Sequence, residues 1–282
     1  MGKNSKRRSS RVNGEYMKKI LLLCLGIFLL IVMVLLFQDD KIENNILYSW
    51  NMSALTDNEL LDIIDKYHIS TLYQDFSTEY LKGQEDTFMI YMKNKNVEVY
   101  HLCGEKEWAL EKDAISMKKE IDKVVTYNQT YSYQIKGIVF DIEPYQNEKN
   151  IEENFDFSLY VSNMKEAYSY SQSRGLEMVI AIPIWFDNIN EKLLEELIRD
   201  GCDEISLMNY NIKYTKEHMQ KELEYAKKYH KSINTIYEIN FKDDNYFSNY
   251  QEIDKDFEKL KKYYKYEKLR KAYHHYDKMK ED

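Results

Sequence analysis

Apolar residues along this chain follow two rhythms that take turns. Short runs rich in β-branched and aromatic residues predict strands, since side chains alternate across a strand. These runs fall at 46–50, 70–73, 97–102, 137–142, 178–184, 205–210, 233–239 and 271–276. Between them, apolar residues recur every three or four positions, the spacing of one helix face. Leu60, Ile63, Ile64 and Tyr67 form one such stripe behind a capping box of Thr56 and Glu59. Phe157, Val161, Met164 and Tyr168 form another that stops at Gly175, and Leu193, Leu194, Leu197 and Ile198 a third that stops at Gly201. Both glycines suit the left-handed residue that follows a helix. Residues 105–127 read as a longer, polar helix, and two later faces run through Met219, Leu223 and Ala226 and through Ile253, Phe257, Leu260 and Tyr264.

Repeated strand–helix units imply a parallel sheet covered by helices. Eight units over about 240 residues match a closed (β/α)8 TIM barrel, so the fold class is α/β. An open doubly wound sheet would want a glycine-rich loop after the first strand, and Trp50-Asn51-Met52-Ser53 is nothing like one. The barrel therefore occupies 41–282 as one domain.

A different segment precedes it. Residues 1–19 hold seven Lys or Arg and one acid, and residues 20–37 carry no charge at all. As a helix, at about 1.5 Å per residue, that run spans roughly 27 Å, close to a bilayer core. Phe37-Gln38-Asp39 offers no small-x-small cleavage site. The expectation is a basic cytoplasmic tail (1–19), an uncleaved transmembrane signal anchor (20–37) and an extracytoplasmic domain (41–282), giving a single-pass protein of the cell membrane. The whole chain stands at −8 although its first nineteen residues are strongly basic. So acidic a remainder repels phosphates, which excludes nucleic acid as a partner. Cys103 and Cys202 fall at opposite ends of their strands, too far apart for a disulfide.

Sites in such barrels lie at the carboxyl ends of the strands. The clearest chemistry there is Asp141 and Glu143, two apart at the end of the apolar run 135–140 and therefore on one side of the strand. Burying a carboxylate without a partner is costly or raises its pKa, so such a pair points to reactivity. Trp50 and Trp185 end the first and fifth strands, and acids beside aromatic plates suit a glycan substrate. Asp75, Asn209, Asn211, Glu238 and His275 complete the expected substrate-binding ring, with Tyr210 on the sixth strand. His101, His274, His275 and Asp75 are of types that bind zinc, but no ligand spacing supports a site. Neither a metal nor another cofactor is expected.

Gly137-Ile-Val-Phe-Asp141-Ile-Glu143 resembles the end of the signature Asp-Gly-x-Asp-x-Asp-x-Glu of family 18 glycoside hydrolases. Ser206-Leu-Met-Asn-Tyr210-Asn211 resembles the Met-x-Tyr-Asp motif on that family's sixth strand. The resemblance implies a metal-free (β/α)8 hydrolase of N-acetylhexosamine glycans such as cell-wall polymers. It implies Glu143 as general acid and Asp141 as the group that orients the substrate's acetamido function, whose oxygen attacks the anomeric carbon. Tyr210 would hydrogen-bond that oxygen. Lys136 and Val139 stand where the signature has its first two aspartates, Asn211 replaces the aspartate after the tyrosine, and Tyr273, His274 and His275 replace a tryptophan floor. Two alternatives stay open: a non-catalytic carbohydrate-binding or scaffolding barrel, and a retaining glycosidase. In the latter, Glu143 of Glu143-Pro144 would be acid/base and Glu238 the nucleophile, with carboxyls about 5–5.5 Å apart.

Overall fold

The computed structural model describes residues 44–82, 87–145, 155–240 and 242–280. The expected tail at 1–19 and membrane span at 20–37 lie outside the described residues. Among the described residues, no helix is long and apolar enough to cross a membrane.

Eight parallel strands close into a barrel in chain order: β1 (Asn45–Ser49), β2 (Ile69–Asp75), β3 (Glu98–Cys103), β4 (Gly137–Phe140), β5 (Glu177–Pro183), β6 (Glu204–Met208), β7 (Ser232–Glu238) and β8 (Leu269–His274). β8 returns to β1, with Ala272 opposite Ile46. A helix follows each strand: α1 (Glu59–Lys66), α2 (Thr87–Asn94), α3 (Ile115–Thr130), α4 (Phe157–Gln172), α5 (Phe186–Asp200), α6 (Gln220–Lys228), α7 (Tyr250–Tyr264) and the one-turn α8 (Tyr276–Met279). Every expected strand is present, its ends displaced by no more than two residues.

Three local expectations are corrected. The stretch 105–127 is not one helix: Lys106–Leu110 and Lys112–Ala114 form 3-10 turns, and Asp113 and Ala114 take positive φ of 61° and 50°. Asn163 of α4 draws the segment inward, donating to the Ala109 and Glu111 carbonyls at 2.8 and 2.7 Å. The Glu111 carboxylate then accepts from the Ser116 amide and hydroxyl, so α3 starts only there. Ahead of α1, Asp57 rather than Thr56 accepts from the Glu59 amide, at 3.0 Å. Finally, Gly175 is left-handed (φ +73°), but Gly201 has φ −112° and is needed for space, because a Cβ there would lie 2.7 Å from the Leu197 carbonyl oxygen.

Strand alternation divides the core in two. Ile46, Tyr48, Tyr73, Tyr100, Leu102, Val139, Val179, Ile236 and Ala272 point into the lumen, while their chain neighbours pack under the helices. The lumen tyrosines interlock edge to face, Tyr48 on Tyr73 at 5.0 Å and Tyr73 on Tyr100 at 5.3 Å. Burying so many polar atoms is tolerable only if they are bonded. At the bottom of the lumen Arg270 pairs with Glu204 and also donates to Thr71 Oγ1 at 3.2 Å. Asn234 donates to Glu204 at 2.7 Å, and Tyr100 donates to Glu177 at 2.7 Å. Cys103, ending β3, and Cys202, just before β6, are both buried and free.

Removing one partner of a buried ion pair leaves the other charge stranded. Arg270→Leu is therefore expected to lower the unfolding free energy by about 3–5 kcal/mol. Urea titration followed by tyrosine fluorescence measures it, and a loss below about 1 kcal/mol, the scale of a surface pair, would show that the pair does not hold the lumen together.

Candidate active site

Asp141 and Glu143 leave β4 with the same inward parity as Val139 and so turn toward the barrel mouth. The Asp141 amide donates to the Cys103 carbonyl at 2.9 Å, continuing the β3–β4 ladder one step beyond the strand and fixing the carboxylate at the rim. Gly104 makes that approach possible, since a Cβ there would sit 1.9 Å from the Asp141 carbonyl oxygen. Asp141 is partly buried at the cleft floor, and its Oδ1 is buried without a hydrogen-bond partner. Burial, and then the negative charge of Glu143, push its pKa from 3.8 up to about 7.

Above Asp141 the mouth opens into a cleft with two lobes that meet at Glu143, Met208 and Tyr210. One lobe, of about 590 Å³, takes in Trp50, Asp141, His274 and the acids Glu105 and Glu107. The other, of about 540 Å³, takes in Tyr145, Trp185, Asn211, Asp243 and Tyr246. Trp185 meets Tyr145 edge to face at 4.7 Å, forming an aromatic wall, and Trp50 at the opposite rim is 37% exposed. Tyr210 lies stacked between His274, at 5.6 Å, and Tyr246, at 6.5 Å. Burial and the charges of Asp141, Glu238 and Glu143 raise the Tyr210 phenol, which therefore stays a hydrogen-bond donor. Burial lowers His274 to about 4, leaving a neutral imidazole in the floor at neutral pH.

Of the ten site residues expected from sequence, the cleft gathers Asp141, Glu143, Tyr210, Trp50, Trp185 and Asn211. The other four lie elsewhere. Asp75, half buried at the end of β2, has its carboxyl pKa raised by burial and lines neither lobe. Asn209 has outward parity, and its amide donates to the Thr215 carbonyl at 2.7 Å, tying down the β6–α6 loop. His275 also has outward parity and faces Asp277 of α8 at 3.8 Å; its neighbour His274 occupies the cleft instead. Glu238 accepts from Lys278 at 2.5 Å and lies 3.9 Å from His274 Nδ1, so it serves these bases and not a position lining the cleft. Counting in twos from Ala272 would have selected His274. No periodic signal marks Tyr145, Asp243 or Tyr246, which come from loops.

The histidines diverge. His101 points outward to Glu120 of α3 at 3.5 Å. Among the described residues, no group of three or more His, Cys, Asp and Glu is placed to hold a metal ion.

An Asp ionising near 3.8 when unfolded and near 7 when folded holds an extra proton in the native state between those values. Its contribution to stability is greatest below pH 4 and is lost as pH rises through 7. Asp141→Asn is expected to remove this dependence and to stabilise the chain at pH 8 by on the order of 2–4 kcal/mol. Urea midpoints of both proteins at pH 5 and pH 8 test it; parallel pH profiles would contradict a burial-strained Asp141.

No family profile and no curated protein matches the sequence. Solved structures do match. A GH18 chitinase from Pseudoalteromonas aurantia aligns with a TM-score of 0.55 at 11% identity, over 84% of this chain and 95% of its own. The spore cortex-lytic enzyme SleL of Bacillus megaterium aligns at 0.54 and 13% identity, over 83% of this chain and 70% of its own. A D-psicose 3-epimerase from Clostridium cellulolyticum aligns at 0.50 and 10% identity, over 82% and 84%. With an epimerase among them, these likenesses carry the fold and leave the reaction to the site. In fold, and in the motifs on β4 and β6, the chain resembles the family 18 glycoside hydrolases at a distance.

Proposed function

We propose that the protein hydrolyses N-acetylhexosamine-containing glycans, with Glu143 as general acid and the substrate's own acetamido oxygen as nucleophile. The observation that carries this reading is the position of Glu143 and Tyr210, shared by both lobes with Asp141 beneath. A glycan laid across the junction puts one sugar in each lobe and the linking oxygen at Glu143. Like charges two residues apart resist joint ionisation, so the Asp141–Glu143 pair keeps a proton near neutral pH. With that proton on Glu143, the acid protonates the leaving oxygen as the bond to the anomeric carbon breaks. The Asp141 carboxylate then accepts the acetamido N–H, and Tyr210 donates to the acetamido oxygen as it closes on the anomeric carbon. Trp50 and the Trp185–Tyr145 wall supply apolar plates for the sugar faces.

A specific observation favours one second reading, a glycan-binding barrel without turnover. Val139 is fully buried where the resembled signature carries an acid. Residues 20–37 and their basic flank support an anchor that leaves this cleft outside the cell, where wall polymers are found.

Glu143→Gln is expected to cut the release of reducing ends from N-acetylglucosamine oligomers about 10²–10⁴-fold. Binding of the same oligomers, followed by calorimetry, is expected to stay unchanged. Full activity in this variant refutes the role of Glu143, and binding without turnover by the unaltered chain selects the second reading.

A further inference from the structure

Glu238 ends β7 and His274 ends β8, and the two are direct cross-strand partners. Both continue inward series, from Ile236 and from Ala272, so their side chains lie next to each other at the mouth. His274 Nδ1 is 3.9 Å from Glu238 Oε2. It is buried and has no hydrogen-bond partner among the described residues, so the carboxylate is the polar group it faces. The other carboxylate oxygen, Oε1, accepts from Lys278 at 2.5 Å, and the same ammonium donates to the Ile239 carbonyl at 3.0 Å. The Glu238 charge is therefore already matched by Lys278, and the imidazole need not be charged to balance it. Burial acts in the same direction and keeps His274 neutral.

A neutral imidazole has one N–H and one lone pair, and the neighbours of its two nitrogens decide which goes where. A lone pair on Nδ1 would face the Glu238 carboxylate from a buried position, where repulsion is poorly screened. The proton therefore belongs on Nδ1 and the lone pair on Nε2. Of the two nitrogens only Nδ1 is a buried atom without a partner, and the side chain, 24% exposed, lines the lobe of Trp50 and Asp141. Nε2 is thus the nitrogen open to the cleft. The ring lies nearly parallel to Tyr210, with 5.6 Å between centroids and 24° between planes, and meets Tyr48 edge-on at 6.1 Å. These two contacts hold it in that orientation.

We propose that Glu238 is a positioning residue that holds His274 in its Nδ1–H form, so that the floor of this lobe presents Nε2 as a hydrogen-bond acceptor to a hydroxyl of the bound sugar. The sugar contact rests on the glycan reading above, whereas the place of the proton is measurable without any ligand. A tryptophan, which the resembled family has in this region, offers an apolar face and an N–H that can only donate. Here the floor is an acceptor, and the sugar above it turns a hydroxyl hydrogen downward.

The test is the His274 imidazole, followed by long-range ¹H–¹⁵N NMR of the full chain at neutral pH and assigned by its loss in His274→Phe. The unaltered chain is expected to carry the proton on Nδ1. In Glu238→Gln the amide oxygen stays with the Lys278 ammonium, which can only donate, and the amide NH2 turns to Nδ1. Nδ1 must then accept, so the proton is expected to move to Nε2. Glu238→Leu removes both influences and is expected to give a mixture of the two forms. A proton on Nε2 in the unaltered chain, or the same form in the unaltered chain and in Glu238→Gln, overturns the proposal. His274→Phe keeps a ring against Tyr210 and is expected to bind N-acetylglucosamine oligomers about tenfold more weakly by calorimetry, the worth of one hydrogen bond. Unchanged affinity there overturns the sugar contact. Failure of the unaltered chain to bind these oligomers defeats the glycan reading and the sugar contact with it, while the NMR result on Glu238 and His274 stands, so the two readings fail separately.

Discussion

A closed parallel ring gives every strand one inward and one outward series of side chains and removes any free edge on which the choice could slip. Almost everything else in this protein follows from that constraint. Eight strands aligned in one direction bring eight carboxyl ends to the same mouth. Parity then decides which side chains reach it: Tyr48 and Trp50, Val139 and Asp141, Met208 and Tyr210, Ala272 and His274. Outward residues such as Phe140, Tyr237 and Tyr273 bury themselves against the helices and hold the ring in shape. The cleft is therefore built by strand ends on a rigid support, and loops add only its aromatic walls.

The same ring creates a difficulty at its centre. Eight strands leave a lumen that side chains must fill, and here much of the filling is tyrosine, whose hydroxyls need partners in a place without bulk water. The buried Arg270–Glu204 pair answers this from below by fixing the acceptors and donors above it. Such a network adds little net stability over a well-packed apolar core, yet it imposes direction on each hydroxyl.

Strand positions were legible in the sequence because alternation and apolar density are local properties, and each strand lies within two residues of its expected place. What 105–127 would do was not legible, since its fate depends on Asn163, some fifty residues away, bonding the Ala109 and Glu111 carbonyls. Asp141, Glu143 and Tyr210 could be found because motif and parity agree for them. Asn209 and His275 sit beside inward residues and share their polar character, and only counting in twos separates Asn209 from Tyr210 and His275 from His274. Asp75 has the right parity but is half buried outside the cleft, and Glu238 is claimed by Lys278, just beyond the neighbouring strand β8; neither outcome is visible along the chain. Tyr145 and Tyr246 enter the cleft from irregular loops, for which no periodicity exists.

The departure at Val139 bears on how an acid can be tuned. Where the resembled signature carries three aspartates before its glutamate, like-charge repulsion is available to keep a proton on the pair nearest the substrate. Here two of those aspartates are absent, and the place of the middle one is filled by a fully buried valine directly below Asp141 on the same face of β4. An apolar neighbour removes one source of repulsion but deepens the desolvation of what remains. For Asp141, burial is the larger cause of its shift and the Glu143 charge the smaller. The two routes reach the same condition, a carboxyl that still holds its proton near neutral pH, and they differ in what they demand of the surroundings. Repulsion works in a wet site; desolvation works only where the surrounding groups exclude water.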